Sequence, residues 1–155
     1  MNDTNKILSR PLLAMSLSLA LAVGSAHAQA PAPAQGGAAL TQAQVKALLS
    51  EQGYTKLDKL KFEDGLWKTE ATSGDGKRGD VRVGARGGRI YAEGVPSKLS
   101  EAEIRAALTA AGYTQVHDLK YDEGLWEARA HSAAGQRVEL YADPTDGGVV
   151  SAEVD

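Results

Sequence analysis

The chain has 155 residues, no cysteine, three histidines and a formal net charge of −3 at pH 7. The lack of cysteine excludes disulfides, thiolate metal ligands and a lipid-attachment cysteine. The acidic balance disfavours nucleic-acid binding, because acidic side chains outnumber the basic ones that would neutralise phosphates.

Residues 1–28 have the pattern of a secretory signal peptide. Lys6 and Arg10 precede an apolar run over residues 11–23, and a small-x-small pattern ends at Ala28. We expect cleavage after Ala28 and a periplasmic or secreted protein. A membrane anchor is the alternative, but the run is short for a bilayer span. Since no other long apolar stretch follows, we expect no membrane span in the mature chain.

The remainder of the chain is a tether followed by a repeat. Residues 29–39 are rich in Ala, Pro and Gly and offer no apolar periodicity. Residues 40–71 then match residues 99–130 without gaps, at a constant offset of 59 positions. Such a match indicates one structural unit used twice. We therefore divide the chain into repeat 1, residues 40–96, and repeat 2, residues 97–155.

Each repeat opens with a helix whose start and stop are both marked. Thr41 and Ser100 are N-cap residues, and Gln44 and Glu103 follow three positions later to complete a capping box. Both helices then run into a Gly-Tyr-Thr segment, whose glycine supplies the left-handed residue that ends a helix.

After each helix the apolar period changes from 3.6 to 2, which predicts strands. In the first strand of repeat 1, Leu60 and Phe62 share one face and Lys59 and Lys61 the other. An Asp-Gly or Glu-Gly pair then predicts a tight hairpin turn in each repeat. The following strands begin with tryptophans, which we expect to face the helix and belong to the core.

Two further strands complete each repeat. The third contains Val81 and Val83 in repeat 1 and Val138 and Leu140 in repeat 2. The short fourth strands match Ile90 and Ala92 with Val150 and Ala152. Every strand has one apolar and one charged face, so the helix should cover one side of an antiparallel sheet. The predicted fold class is α+β, with two tandem α-β-β-β-(β) units.

Repeat 2 resembles the PepSY domain family. The resemblance rests on Gly112-Tyr113-Thr114, on Asp122-Glu123-Gly124, and on residues 135–144, which read GQRVELYADP. Repeat 1 departs from the pattern after Gly76, where Val81-Arg82-Val83-Gly84 replaces the strand and no Asp-Pro turn follows. The resemblance implies a small non-catalytic module. Relatives occur in protease propeptides and exported bacterial proteins, with restraint of a peptidase as the proposed role.

No catalytic residue, metal ligand or cofactor is predicted. His117 and His131 are unmatched in repeat 1 and lack the spacing of helical metal ligands. No nucleophile signature occurs, so an enzyme is disfavoured. The PepSY family has no agreed catalytic residues to carry over to this chain.

Charge is divided unequally between the repeats. Residues 40–98 hold 11 Lys and Arg against 8 Asp and Glu, whereas residues 99–155 hold 4 against 11. The two charged faces are either simply solvated, or complementary to each other, or one of them faces a charged partner. The candidate partner-binding face consists of Lys59, Lys61, Lys68, Arg82, Arg89, Tyr91, Glu127, Glu139 and Tyr141.

Two functional hypotheses follow. The first is an exported, non-catalytic module that binds or restrains a protein or peptide partner in the cell envelope, with a peptidase as one candidate. The alternative is an envelope protein that binds a small ligand, cation or anion on the charged open face of a sheet. The sequence leaves open the partner, the oligomeric state and the relative orientation of the repeats.

Overall fold

The computed structural model describes residues 38–155. The predicted signal peptide, and the predicted tether up to residue 37, lie outside the described residues. No helix in the described part is long and apolar enough to cross a membrane.

The described chain forms two α+β units, as predicted. Unit 1 contains α1 (Gln42–Glu51), β1 (Thr55–Glu63), β2 (Leu66–Thr72), β3 (Arg78–Gly84) and β4 (Ile90–Ala92). Unit 2 contains α2 (Glu101–Ala110), β5 (Thr114–Asp122), β6 (Leu125–His131), β7 (Arg137–Ala142) and β8 (Val149–Val154). Each sheet is antiparallel, with its four strands in chain order.

The helix ends are the ones that local chemistry predicts. Thr41 and Ser100 accept the N3 backbone N–H, and Gln44 and Glu103 accept the N-cap N–H in return. At the other end of α1, Gly53 has φ +83° and the N–H of the next residue donates to a helix carbonyl at 2.9 Å. These bonds pair backbone groups that a helix terminus would otherwise leave without partners.

Each helix covers one face of its own sheet. In unit 1 the buried core consists of Val45, Leu49, Ala71, Val81 and Val83. In unit 2 it consists of Ile104, Leu108, Trp126, Ala128, Ala130, Val138, Leu140 and Ala142. Trp126 therefore belongs to the core, as predicted, whereas Trp67 packs against its core from a partly exposed position.

The first strands depart from the predicted strict alternation of apolar and charged residues. Lys56 and Lys59 in β1 have φ near +51°, and the pairing with β2 shifts register at both places. A left-handed residue at a register shift is a β-bulge, so Lys59 lies in a bulge rather than at a paired position of the open face. Beyond it, Phe62 pairs with Trp67 but is 53% exposed.

Strand pairing gives the correspondence of the third strands and corrects one match in the fourth. Trp67 pairs with Val83 and Trp126 with Ala142, so the 59-residue offset continues through the third strand, and Leu140 corresponds to Val81. A register shift in β8 then places Val149 against the core and Val150 on the opposite face, contrary to the expectation for Val150.

Candidate functional site

The open faces of the two sheets pack against each other. Leu66 and Tyr91 of unit 1 form one buried cluster with Leu125 and Tyr141 of unit 2, and Val150 packs at its edge. Tyr91 is 6% exposed and Tyr141 4% exposed. The unequal charges of the repeats therefore meet across an interface within the chain.

Arg82 is the central cation of this interface. The residue is 6% exposed, pairs through Nη2 with Glu123, and its guanidinium lies 5.4 Å from the centre of the Tyr141 ring. Lys68 lies 5.7 Å from the same ring centre and pairs with Asp64. Arg82 Nε and Nη1 find no hydrogen-bond partner among the described residues. A buried guanidinium that depends on one carboxylate makes that carboxylate important for stability.

A second polar network ties β4 to the turn between β7 and β8. Arg89 Nη1 pairs with Asp143 and, at 3.0 Å, with Asp146, while the Tyr91 hydroxyl donates to Asp143 at 2.9 Å. The Thr145 N–H donates to the other oxygen of Asp143 at 2.7 Å. Every carboxylate oxygen of Asp143 is thus hydrogen-bonded, which suits a structural role rather than a reactive one.

The pKa values of this network follow from its geometry. Asp143 is 2% exposed, and this burial alone would raise its pKa. Hydrogen bonds from Arg89, Thr145 and Tyr91 outweigh it and hold the pKa of Asp143 below its usual range. Burial, together with the bond to Asp143, raises the pKa of Tyr91, so this hydroxyl stays protonated as a donor.

Several contacts between the two units are reciprocal. Contacts on one side of the interface recur on the other at positions shifted by 59 residues, which is the signature of an isologous contact. The equivalent contacts are Gly65 with Ser151 and Gly124 with Ala92, then Gly84 with Val150 and Asp143 with Tyr91.

The remaining residues of the candidate face are exposed or locally paired. Lys59 is exposed in its bulge. Lys61 pairs with Glu63 at 2.7 Å. Glu127 pairs with Lys120 at 3.3 Å, and Glu139 accepts a hydrogen bond from the Tyr141 hydroxyl at 3.1 Å. The nine residues therefore do not form one open face, because Arg82, Tyr91 and Tyr141 are buried whereas Lys59 and Lys61 are exposed.

Sequence reasoning did not select Glu123 or Asp143 as interface residues. Both lie in turns, where acidic residues are expected for local reasons. The sequence did contain one signal for Asp143, which is its difference from repeat 1: the 59-residue offset places Gly84 at the equivalent position.

An open cleft of about 390 Å³ lies beside the second network, where the two units meet. Its lining includes Tyr54, Ile90, Val95 and Pro144 as well as the paired Arg89 and Asp143. Within residues 38–155, no three His, Asp or Glu side chains gather as metal ligands would. Among its polar groups, Arg89 and Tyr91 both bind Asp143, and none of the lining residues has the arrangement of an activated nucleophile with its base.

The two units also differ at a second surface, which in each unit is formed by a pair of aromatic side chains. Phe62 and Trp67 have ring centres 5.3 Å apart, and the equivalent Tyr121 and Trp126 are 5.4 Å apart. In unit 2 the segment between the units covers this pair: the Tyr121 hydroxyl donates to the Val95 carbonyl, and Trp126 Nε1 donates to Ser97 Oγ at 2.8 Å. Phe62 is 53% exposed whereas its equivalent Tyr121 is half-buried, and Trp67 is half-buried whereas its equivalent Trp126 is 8% exposed.

Comparison with known proteins identifies the family. The chain matches the family described as "Peptidase propeptide and YPEB domain" (PepSY) over residues 14–94 and again over residues 90–153. No curated protein and no solved structure matches it. PepSY domains are generally non-catalytic. The two matches together span most of the sequence and correspond to the two units, and the chain therefore belongs to the PepSY family as a tandem pair of PepSY domains.

Proposed function

We propose that this protein is an exported, non-catalytic binding module that engages a protein or peptide partner in the cell envelope. A peptidase is the first partner class to examine, since the family description refers to peptidase propeptides. The observation that carries the proposal is the different covering of two equivalent aromatic pairs. Unit 2 places its own chain over Tyr121 and Trp126, whereas Phe62 remains exposed.

The internal packing of the units supports binding over catalysis. It places the charges of Arg82, Arg89 and Asp143 in contacts between the units. Two units packed against each other, with Phe62 exposed on the outside of unit 1, suit recognition of another chain.

The small-ligand alternative has less support. Lys59, Lys61 and Arg82 would have to bind an anion, but Lys61 and Arg82 already pair with carboxylates, and only Lys59 has no ion pair with a described residue. An added anion would have to displace these partners and approach the same acidic side chains.

The proposal is tested by affinity capture from an envelope extract of the native host. The mature chain, beginning at Gln29, is immobilised beside an unrelated exported protein of similar charge. We expect one partner in near-stoichiometric amount on the mature chain alone, with binding reproduced by the purified pair. Recovery of the same background proteins on both supports would contradict the proposed function.

A further inference from the structure

We propose that Phe62, Trp67 and the edge strand β1 form a docking site for an extended acidic peptide segment with an aliphatic side chain. The inference rests on the proposed binding function and names the surface and the partner chemistry. In unit 2 the equivalent surface already holds a segment of the chain itself.

The internal template is the segment from Val95 to Ser97. Its Val95 carbonyl accepts from the Tyr121 hydroxyl, and its Ser97 hydroxyl accepts from Trp126 Nε1. The aromatic pair of this fold can therefore lie under a segment of polypeptide chain. The same two positions in unit 1 have nearly the same ring separation, 5.3 Å against 5.4 Å.

The chemistry of the unit 1 pair differs in one respect. Phe62 has no hydroxyl, and Trp67 Nε1 already donates to the Leu40 carbonyl at 3.0 Å. The pair therefore offers apolar contact and no free hydrogen-bond donor. A partner segment gains most by placing an aliphatic or aromatic side chain there, because this contact removes apolar surface from water.

The charges on β1 indicate an acidic partner. Lys56 and Lys59 lie on the same edge strand as Phe62, and neither forms an ion pair with any residue between 38 and 155. Their equivalents in unit 2 are Gln115 and Asp118. Lys59 is three residues from Phe62, or about 10 Å along an extended strand. An acidic residue about three positions from the apolar one would meet it.

The bulges indicate how the segment would bind. Left-handed residues at Lys56 and Lys59 interrupt the regular spacing of N–H and C=O groups along the edge. Such interruptions oppose pairing with an added strand. The partner should therefore bind through side chains over Phe62 and beside the two lysines, not as a fifth strand of the sheet.

A random dodecapeptide library displayed on phage tests this directly on the immobilised mature chain. We expect enrichment of peptides with an aliphatic or aromatic residue and an Asp or Glu about three positions away. Phe62→Ser should weaken these peptides about tenfold or more, as loss of an aromatic anchor does. Lys59→Glu should weaken them and reduce the salt dependence of binding. Val154→Ser, at an exposed valine of unit 2, is the matched control and should leave binding unchanged.

Each variant is first compared with the parent in urea unfolding: Lys59→Glu and Val154→Ser should leave the midpoint nearly unchanged, and Phe62→Ser should lower it modestly through loss of the contact with Trp67 without broadening the transition. Enriched peptides that bind Phe62→Ser as tightly as the parent would overturn this site while leaving the proposed binding function in place. No enrichment, or enrichment of basic peptides, would also overturn the docking site. Capture of a partner from the envelope extract decides the proposed function independently.

Discussion

The replacement Gly124→Ala should separate the two units, and Gly53→Ala provides its matched control. Both glycines have φ +83°, so an alanine at either position meets the same left-handed backbone penalty. A Cβ on Gly53 would have no atom within 4 Å. A Cβ on Gly124 would lie 2.8 Å from the Ala92 carbonyl oxygen and 2.9 Å from the Ala92 nitrogen, both in the opposite unit.

The expected magnitudes follow from these two environments. A non-glycine residue in the left-handed region costs roughly 1–2 kcal/mol, which is the expected loss of unfolding free energy for Gly53→Ala. Gly124→Ala carries this penalty and a steric one, because main-chain atoms cannot rotate away as a side-chain end can. Overpacking of this kind typically costs about 1–3 kcal/mol. Gly124→Ala should therefore be the more destabilising change by about that amount.

Urea unfolding followed by tryptophan fluorescence measures both variants, since each unit contains one tryptophan. We expect Gly53→Ala to shift the transition without splitting it. Gly124→Ala should make the units unfold in separate transitions and increase the radius of gyration measured by small-angle scattering. If Gly124→Ala loses no more free energy than Gly53→Ala and stays equally compact, the described interface is wrong.

Three further predictions concern named contacts. Glu123→Gln should destabilise by up to about 3 kcal/mol in urea unfolding, because it leaves Arg82 buried without its carboxylate, whereas Arg82→Met should cost much less. The folded-state pKa of Asp143 is lowered, so its contribution is complete above a pH of about 4 and is lost as pH falls through the folded value. Asp143→Asn should therefore destabilise the chain at pH 7 and flatten the acid side of its stability–pH curve; an unchanged acid side would contradict this. Thr41→Ala should cost about 1 kcal/mol through loss of the N-cap, measured by the urea midpoint, with Thr41→Ser restoring most of it.

The features that sequence predicted well are those with local chemical causes. The capping box at Thr41 needs only the residues of one helical turn, and the left-handed glycine at Gly53 ends the same helix. Hairpin turns at Asp64-Gly65 and at the equivalent pair in unit 2 have positive φ at both residues. Each of these elements is determined by residues within a few positions of one another, so the sequence alone predicts it.

The bulges in the first strands had no such signal. Lysine is an unfavourable residue for positive φ, yet Lys56 and Lys59 both adopt it. Their conformations follow from how β1 must pair with β2 while Leu57 and Leu60 both reach the core, three positions apart. That requirement depends on contacts between strands rather than on neighbouring residues. The two bulges also set the position of Phe62, which is the more exposed member of its pair with Trp67.

The interface was only partly predictable. The unequal charges allowed three readings, and facing sheets was one of them. Charge alone could not specify that Arg82 would meet Glu123, because both sheets present several acidic and basic residues. The close approach at Gly124 depends on the relative orientation of the units, which the sequence had left open.

Differences between equivalent positions explain why the units of this chain pair with each other. If two copies of unit 2 paired in the same geometry, Val150 would take the position of Tyr91 and Gly148 that of Arg89. The buried carboxylate of Asp143 would then lose the Tyr91 hydroxyl and the Arg89 guanidinium as donors. Two copies of unit 1 would place Gly84 beside the Tyr91 hydroxyl and leave it without its acceptor. A buried polar group without a partner costs more than a satisfied one contributes. Pairing of unit 1 with unit 2 gives a partner to both the Asp143 carboxylate and the Tyr91 hydroxyl. The sequence differences between the repeats therefore disfavour pairing of like units.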